Sequence, residues 1–477
     1  MHVFSEPGGW RQLVATIVVN MTTFMNGVAM GWLSPTVPYL KSNSSTVTLD
    51  PMTDSQVSWM TGATSMGALV VLPFCGMMSE CLGRKITGCL IAIPFFISWL
   101  LKIIATHYLY LVVARLFVGF SAAMFGSLVP IYVSEISATS IRGQLGSFLI
   151  FALNLGIVSG YILGAAFSYA VFASIVLTLP VIFFGLFIFM PETPIYLIRK
   201  NRITEATRSL MWLKSNNESA AKFELRQLQM YVKENVDTSK SIGFRDLVRD
   251  RGTIKGFIIA LVLLGAQEAT GYSVMITYTA EILAFSDGLL TPNSATIVVG
   301  IIQIFGSWLS ILIMDRAGRR SLILISCSGM ALCHATLGVF FLIEKLPLDV
   351  SAMTWIPVVT LPIYAFVWSF GIGPISFIVA SEVFRADVSS IATSVALEFM
   401  WIISFVTMKF YPTASVTIGK YSCFGVFGFF SLFTFIFTYF IVPETKGRSI
   451  DAIVNELNGF PAKSQDRERL EACSDII

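Results

Sequence analysis

Two short charged turns repeat along the chain. Glu80 precedes Gly83-Arg84-Lys85, and Asp315 precedes Gly318-Arg319-Arg320 at the same spacing. Glycine permits a tight turn, and a guanidinium beside it can bridge a carboxylate and the carbonyl end of a neighbouring helix. Glu135 and Glu382 each follow a serine in a second matched pair, with Arg142 and Arg385 a few residues beyond. Glu80, Arg84, Lys85, Glu135, Arg142, Asp315, Arg319, Arg320, Glu382 and Arg385 are therefore read as one charge network that latches one side of the molecule. The plain alternative is that the basic residues only orient the chain in a bilayer. Finding the set twice, at equivalent connections, favours the latch.

Two acids stand inside otherwise apolar runs, Glu268 and Glu398. Facing lipid, each would cost roughly 2.5 to 3.5 kcal/mol, so each is expected to face a cavity or a partner. There it could be protonated and neutral, accept from a ligand hydroxyl, or carry a coupled proton. Other chemistry finds little support. No phosphate-cradling Gly-x-x-x-x-Gly-Lys-Ser/Thr loop occurs, which argues against direct ATP-driven pumping. Cys75, Cys81, Cys89, Cys327, Cys333, Cys423 and Cys473 match no zinc spacing, and His2, His107 and His334 are far apart, so no metal site and no cofactor are expected. No nucleophile motif suggests an enzyme. A net charge of +3 without a basic run among aromatics gives no sign of nucleic-acid binding.

These charges need elements to position them, and composition says which. Of 477 residues, 55% are hydrophobic and 13% charged, against roughly 25% charged in an average soluble domain. Twenty of the charged residues lie between Arg199 and Lys255 and twelve between Glu444 and Asp475, leaving the rest nearly charge-free, as lipid requires. Apolar runs near the roughly 20-residue length of a membrane helix occur at 12–34, 57–79, 86–106, 108–133, 144–167, 169–190, 255–284, 294–314, 321–343, 354–380, 389–411 and 419–442. The first is too long for a removable signal and reads as a membrane helix.

The chain divides into a six-helix half at 1–190, a cytosolic helical linker at 191–254, a second half at 255–442 and a cytosolic tail at 443–477. Basic residues cluster in alternate connections, which places both termini in the cytosol. The opposite side carries the sequon Asn43-Ser44-Ser45, a candidate glycosylation site, whereas the sequon at Asn217 falls on the cytosolic side and is expected to be silent.

The two halves echo one another. The charged turns lie 235 residues apart, Ser134-Glu135 and Ser381-Glu382 lie 247 apart, and Pro191-Glu192-Thr193 and Pro443-Glu444-Thr445 lie 252 apart. Whole halves thus repeat in parallel, the pattern of the major facilitator fold. The expected class is an all-α membrane protein with twelve transmembrane helices in two parallel six-helix repeats.

Arg115 with Gly119, the run Pro130 to Glu135, Arg142-Gly143, Pro191 to Pro194, Asp315 to Arg320, Gly371 to Pro374 and Pro443 to Gly447 together resemble the sugar porter branch of the major facilitator superfamily. Within it the chain is most similar to the insect facilitated trehalose transporters, through Gly31-Trp32, Ser34-Pro35, Asn154 before Gly156, Glu205-Ala206, Trp212-Leu213 and Lys409. The resemblance implies transport of a sugar, trehalose or a hexose, by alternating access, by a monomer in the plasma membrane with the lipid bilayer and the sugar as its partners. It also implies that the charge network holds the outward-open state.

The family's seventh-helix Gln-Gln-x-Ser-Gly-x-Asn corresponds to Gln267, Glu268, Ala269, Thr270, Gly271, Tyr272 and Ser273. One amide has become a carboxylate and the asparagine a hydroxyl. Its eighth-helix Asn corresponds to Gln303, its tenth-helix Trp to Phe377, an eleventh-helix Asn to Met400 before Trp401, and a fifth-helix Gln to Ile150. Gln267, Glu268, Thr270, Ser273, Gln303 and Asn154 remain as polar candidates for sugar hydroxyls, with Phe377 and Trp401 as apolar surfaces. The first helix holds no acid from Val14 to Lys41, where proton-coupled relatives keep an aspartate, and this favours uniport. Three rival readings stand beside this: a proton-coupled carrier, a carrier of a non-sugar solute, for which Glu268 would suit a cationic or amine-bearing substrate, and a sugar sensor without transport, against which the tail of about 35 residues after Val442 favours a carrier.

Overall fold

The computed structural model describes residues 8–459 apart from 44, 46, 48, 49, 139, 140, 237–249, 285–290, 347–352, 385 and 449. The chain folds as two units, Met1–Ser239 and Lys240–Ile477. The first contains α1 (Gly9–Gly31), α2 (Leu33–Lys41), α3 (Asp54–Leu82), α4 (Arg84–Ile103), α5 (Tyr108–Ile136), α6 (Arg142–Gly146), α7 (Phe148–Ala166), α8 (Tyr169–Phe187), α9 (Pro194–Arg199), α10 (Ile203–Leu213) and α11 (Glu218–Val236). The second contains α12 (Arg251–Ala269), α13 (Tyr272–Leu283), α14 (Pro292–Ala317), α15 (Arg319–Lys345), α16 (Trp355–Phe370), α17 (Ile372–Glu382), α18 (Ala386–Ala414), α19 (Lys420–Phe440) and α20 (Ile450–Asn458).

Eleven helices among the described residues are long and apolar enough to cross a membrane. The last, Ile391–Phe440, runs 50 residues. At 1.5 Å per residue that is about 75 Å, enough for two crossings of a core about 30 Å thick. A π-helical turn at Ser415–Gly419, with Gly419 at φ 104°, divides it. Divided in this way, the described residues hold twelve spans, six per unit.

Several helices outrun their apolar runs because polar caps extend them. Thr53 accepts from the Gln56 N–H at 3.3 Å while Gln56 Oε1 accepts from the Thr53 N–H at 2.9 Å, a reciprocal box that starts α3 before its first apolar turn. Thr291 caps α14 ahead of Pro292 by accepting from the Ser294 N–H at 3.2 Å.

Packing inside each unit follows one scheme. In the first, α1 packs on α7, α3 on α5, and α4 on both α5 and α8; in the second, α12 packs on α18, α14 on α16, and α15 on both α16 and α19. The partners are equivalent by chain order, so the parallel repeat is one of helix pairing as well as of motifs. Small residues allow close approach without a hydrophobic drive: a Cβ on Gly27 of α1 would stand 2.2 Å from the Leu153 carbonyl oxygen of α7. Helices α9 to α11 build their own apolar cluster around Tyr196, Leu197, Ile198, Ala206 and Val232. They dock on the start of α1, where Arg11 Nη1 donates to the Trp212 carbonyl at 3.0 Å.

Candidate substrate and gating sites

The second unit contains two interrupted helices that meet. Between α12 and α13, Gly271 adopts φ 83° and ψ 17°, a left-handed conformation that glycine takes without penalty. The break gives the Thr270 carbonyl two donors from neighbouring helices, His334 Nε2 at 2.9 Å and the Tyr364 hydroxyl at 3.1 Å. The carbonyl can only accept, so the His334 ring carries its proton on Nε2. Between α16 and α17, Gly371 interrupts the helix. There the Ile372 N–H donates to Ser326 Oγ at 3.2 Å, and Ser326 donates to the Val367 carbonyl at 2.7 Å.

Gln267 joins the two breaks: its Nε2 donates to the Gly373 carbonyl at 2.9 Å and to that of Ile372 at 3.4 Å. Beside it, the Tyr272 and Trp368 rings stack with an interplanar angle of 4°, and Gln303 Nε2 donates to the Tyr272 hydroxyl at 3.0 Å. Glu268 is 8% exposed. Ser273 and Ser404 hydrogen-bond its carboxylate, and its Oε2 has no partner. Unpaired polar atoms this deeply buried cost about 1 to 3 kcal/mol unless a ligand or proton meets them.

Five of the polar residues anticipated from the sequence therefore gather at this junction: Gln267, Glu268, Thr270, Ser273 and, through Tyr272, Gln303. The Thr270 hydroxyl donates to the Gln267 carbonyl of its own helix at 3.2 Å, so its contribution runs through the backbone. Phe377 on α17 is 39% exposed and Trp401 on α18 is half-buried, one turn before Ser404. Glu398, one turn before Trp401, is half-buried, and its Oε1 has no partner. Asn154 is buried in α7 of the first unit. Tyr272, Trp368, His334, Tyr364 and Ser404 escaped the sequence reading, since nothing in a lone aromatic or serine within an apolar run marks it as part of a site.

The charged turns form a second pair of sites, one per unit. Arg84 is buried, and its Nε and Nη2 meet Glu135 Oε2 and Oε1 at 3.1 and 3.0 Å. Nη2 also reaches Glu80 at 2.7 Å, Nη1 reaches the Ser79 carbonyl at 3.1 Å, and the guanidinium lies 5.3 Å from the Tyr196 ring centre. Lys85 contributes its backbone: its N–H donates to Glu192 Oε2 at 3.1 Å, and the Arg84 N–H donates to Glu192 Oε1 at 3.1 Å. The second unit repeats this, with the Arg319 and Arg320 N–H groups donating to Glu444 Oε1 and Oε2 at 2.9 and 3.1 Å. Arg319 Nη2 stands 3.6 Å from Glu382.

Glu192 and Glu444 thus sit at the N-termini of α4 and α15, where a carboxylate complements the helix dipole. Burial pushes the Glu192 carboxyl above its ordinary value, with the three backbone donors and Arg84 acting against that rise. The repeated Pro-Glu-Thr was visible in the sequence; its role was not, because Glu192 and Arg84 lie 108 residues apart.

Four further members of the proposed network bring no described side chain to these contacts. The Arg320 guanidinium donates to the Tyr439 carbonyl instead of reaching Glu382. Arg142 is exposed on α6 and has no described contact with Glu80, Arg84 or Glu135. Arg385 and the side chain of Asp315 lie outside the described residues, as do His2 and Cys473.

Residues 15–457 match the family described as Sugar (and other) transporter. The facilitated trehalose transporter Tret1 of Apis mellifera ligustica is 32% identical over 94% of this chain and 88% of its own length. The Tret1 of Bombyx mori is 31% identical over 94% and 87%. Among solved structures, the partially occluded, inward-open xylose transporter XylE from E. coli superposes with a TM-score of 0.76 at 21% identity, covering 92% of this chain and 99% of that one. The last likeness shows the fold, that of the major facilitator sugar transporters. The motif resemblance, the twelve spans and the family match agree: this chain is a multi-pass membrane protein of the sugar (and other) transporter family, a transporter and not an enzyme.

Proposed function

We propose that the chain is a facilitative carrier that moves a sugar, trehalose or a hexose, by alternating access. The observation that carries this is the junction of the two broken helices. A buried carboxylate with one unpartnered oxygen and two serines against it, two amides and a stacked ring pair occur on the helices that break there, the mixture of donors, acceptors and aromatic surface that a polyol requires. Relatives named facilitated trehalose transporters, 32% and 31% identical to this chain, support the substrate class. Gln267, Glu268, Thr270, Ser273 and Gln303, with Phe377, Trp401 and Asn154, are the residues we assign to the sugar. The ten network residues we assign to gating.

We place the carrier in the plasma membrane as a monomer. The halves are 1–190 and 255–442, and the segments 191–254 and 443–477 lie in the cytosol with both termini, as the clustering of basic residues supports. Asn43, exposed in the turn after α2, is our candidate for glycosylation.

One observation favours a second reading. The free Oε2 of Glu268 could bind a proton as readily as a hydroxyl, which would make the carrier proton-coupled. Uptake of labelled trehalose and glucose into oocytes, at acidic and neutral external pH and with Glu268→Gln beside the parent, separates the two. Saturable uptake that ignores pH supports the facilitative reading. Uptake that rises in acid, and loses that rise in Glu268→Gln, supports coupling. No uptake of either sugar with the protein at the surface overturns both.

A further inference from the structure

The second unit has a cavity of about 430 Å³ away from the helix breaks. It lies where the second turn of α12 and the first turn of α15 meet the end of α19 and the short helix α20. Two cations line it, Lys255 and Arg320, together with Ile258, Phe440, Ile441 and one acid, Glu456.

The charges are unevenly satisfied. Arg448 ion-pairs with Glu456 and compensates that acid. Arg320 donates one nitrogen to the Tyr439 carbonyl and lies 5.8 Å from the Tyr439 ring centre, while its Nε has no partner. Lys255 is exposed on the second turn of α12, and no described acid pairs with it. The net character of the cavity is therefore cationic.

The apolar part is equally uneven. Phe440 is 76% exposed, Ile441 45% and Ile258 43%. Large apolar side chains bared beside two cations, at the end of membrane-spanning helices, fit a molecule that is anionic at one end and hydrocarbon at the other. A soluble phosphate compound would use the cations and leave the apolar surface bare. A neutral lipid would cover the apolar surface and leave the cations without a partner.

We propose that this cavity binds an anionic phospholipid, its phosphate and headgroup against Lys255 and Arg320 and its acyl chains along Ile258, Phe440 and Ile441. Basic recesses between membrane helices on the cytosolic side are suited to such headgroups. The cavity opens on the edge that carries the charged turn Gly318 to Arg320, the cytosolic edge in the orientation proposed above. The lipid would thereby tie the start of α12 to the start of α15.

Lipid retention measures this without reference to sugar transport, so the proposal stands or falls apart from the transport reading. The purified full-length protein, stripped of lipid, is titrated with phosphatidylserine or phosphatidylcholine and weighed intact by native mass spectrometry. Preferential retention of phosphatidylserine, reduced about fivefold in Lys255→Gln and again in Arg320→Gln but unchanged in the distant Lys345→Gln, is the expected result. Fivefold corresponds to about 1 kcal/mol per basic residue near an anionic surface. Equal retention of the two lipids, or full retention in Lys255→Gln, overturns the proposal; that residue is exposed, so the variant is expected to fold. Displacement of phosphatidylserine by equimolar glycerophosphoserine, which has the headgroup and no acyl chains, would also overturn it and assign the cavity to a soluble anion.

Discussion

His334 and Tyr364 converge on one acceptor, the Thr270 carbonyl, from two different helices. The carbonyl belongs to the last residue before Gly271, so the pair fixes the point at which α12 gives way to α13. Removing one donor leaves the other in place and costs about 1 kcal/mol. Removing both strands a buried carbonyl, which costs about 1 to 3 kcal/mol more. His334→Ala with Tyr364→Phe is therefore expected to lower the thermal midpoint in detergent by more than the sum of the single variants. His334→Gln, which keeps an N–H donor, is expected to recover part of the loss. Strict additivity of the single variants would show that the two donors act independently.

Gly271 is the second element of that break. Its φ of 83° lies where an L-residue pays roughly 1 to 2 kcal/mol, and an added Cβ would sit 2.8 Å from Phe427 Cδ2. Gly271→Leu is expected to abolish uptake while surface expression persists, and Gly271→Ala to retain part of it. Pairing Gly271→Ala with Phe427→Ala removes the contact but not the dihedral penalty, so recovery in the double variant is expected to be incomplete. Normal flux in Gly271→Leu would mean that the break has no part in transport.

Repetition and periodicity carried most of what could be read before the structure. Arg84 and Glu135 were legible because their motifs recur in the second half, and the spans because lipid demands long apolar runs. What escaped was fixed by direction and distance. That the Gln267 amide nitrogen would also tie the two helix breaks, through the Gly373 and Ile372 carbonyls, could not be seen in the sequence. Ser404 lies 136 residues from Glu268 and bonds it only because α18 packs on α12. Tyr272 gave no sign that it would lie flat against Trp368, since neighbouring helical positions offer no clue to which face a ring will meet.

Glu192 and Glu444 close the turns that the repeated motifs open. Each accepts three backbone N–H groups: those of Arg84, Lys85 and Thr193 at 2.9 to 3.1 Å, and those of Arg319, Arg320 and Lys446 at 2.9 to 3.1 Å. A glutamine keeps one acceptor oxygen and loses the charge that favours the helix N-terminus. Glu192→Gln and Glu444→Gln are each expected to destabilise the protein by about 1 to 3 kcal/mol, read as a lower midpoint in detergent. Gly83→Ala is expected to act on the same contact, since its Cβ would stand 2.4 Å from Glu192 Oε2. A midpoint unmoved by either glutamine would show that the amides are satisfied otherwise.

The two charged turns match in sequence but differ in burial. Arg84 is 2% exposed and holds Glu135, itself 10% exposed, with two parallel bonds. Arg319 and Glu382 are 14% and 27% exposed and stand 3.6 Å apart. Breaking a buried pair from one side leaves an uncompensated charge and costs about 3 to 5 kcal/mol, whereas a more solvated pair contributes about 1 kcal/mol or less. Arg84→Gln is therefore expected to lower the midpoint well beyond Arg319→Gln. Raising the salt concentration, which screens exposed pairs more than buried ones, is expected to shrink the Arg319→Gln effect and leave that of Arg84→Gln. Equal losses in both variants, or an Arg84→Gln effect that salt removes, would mean that burial does not set the strength of the latch and that the two turns act as interchangeable copies.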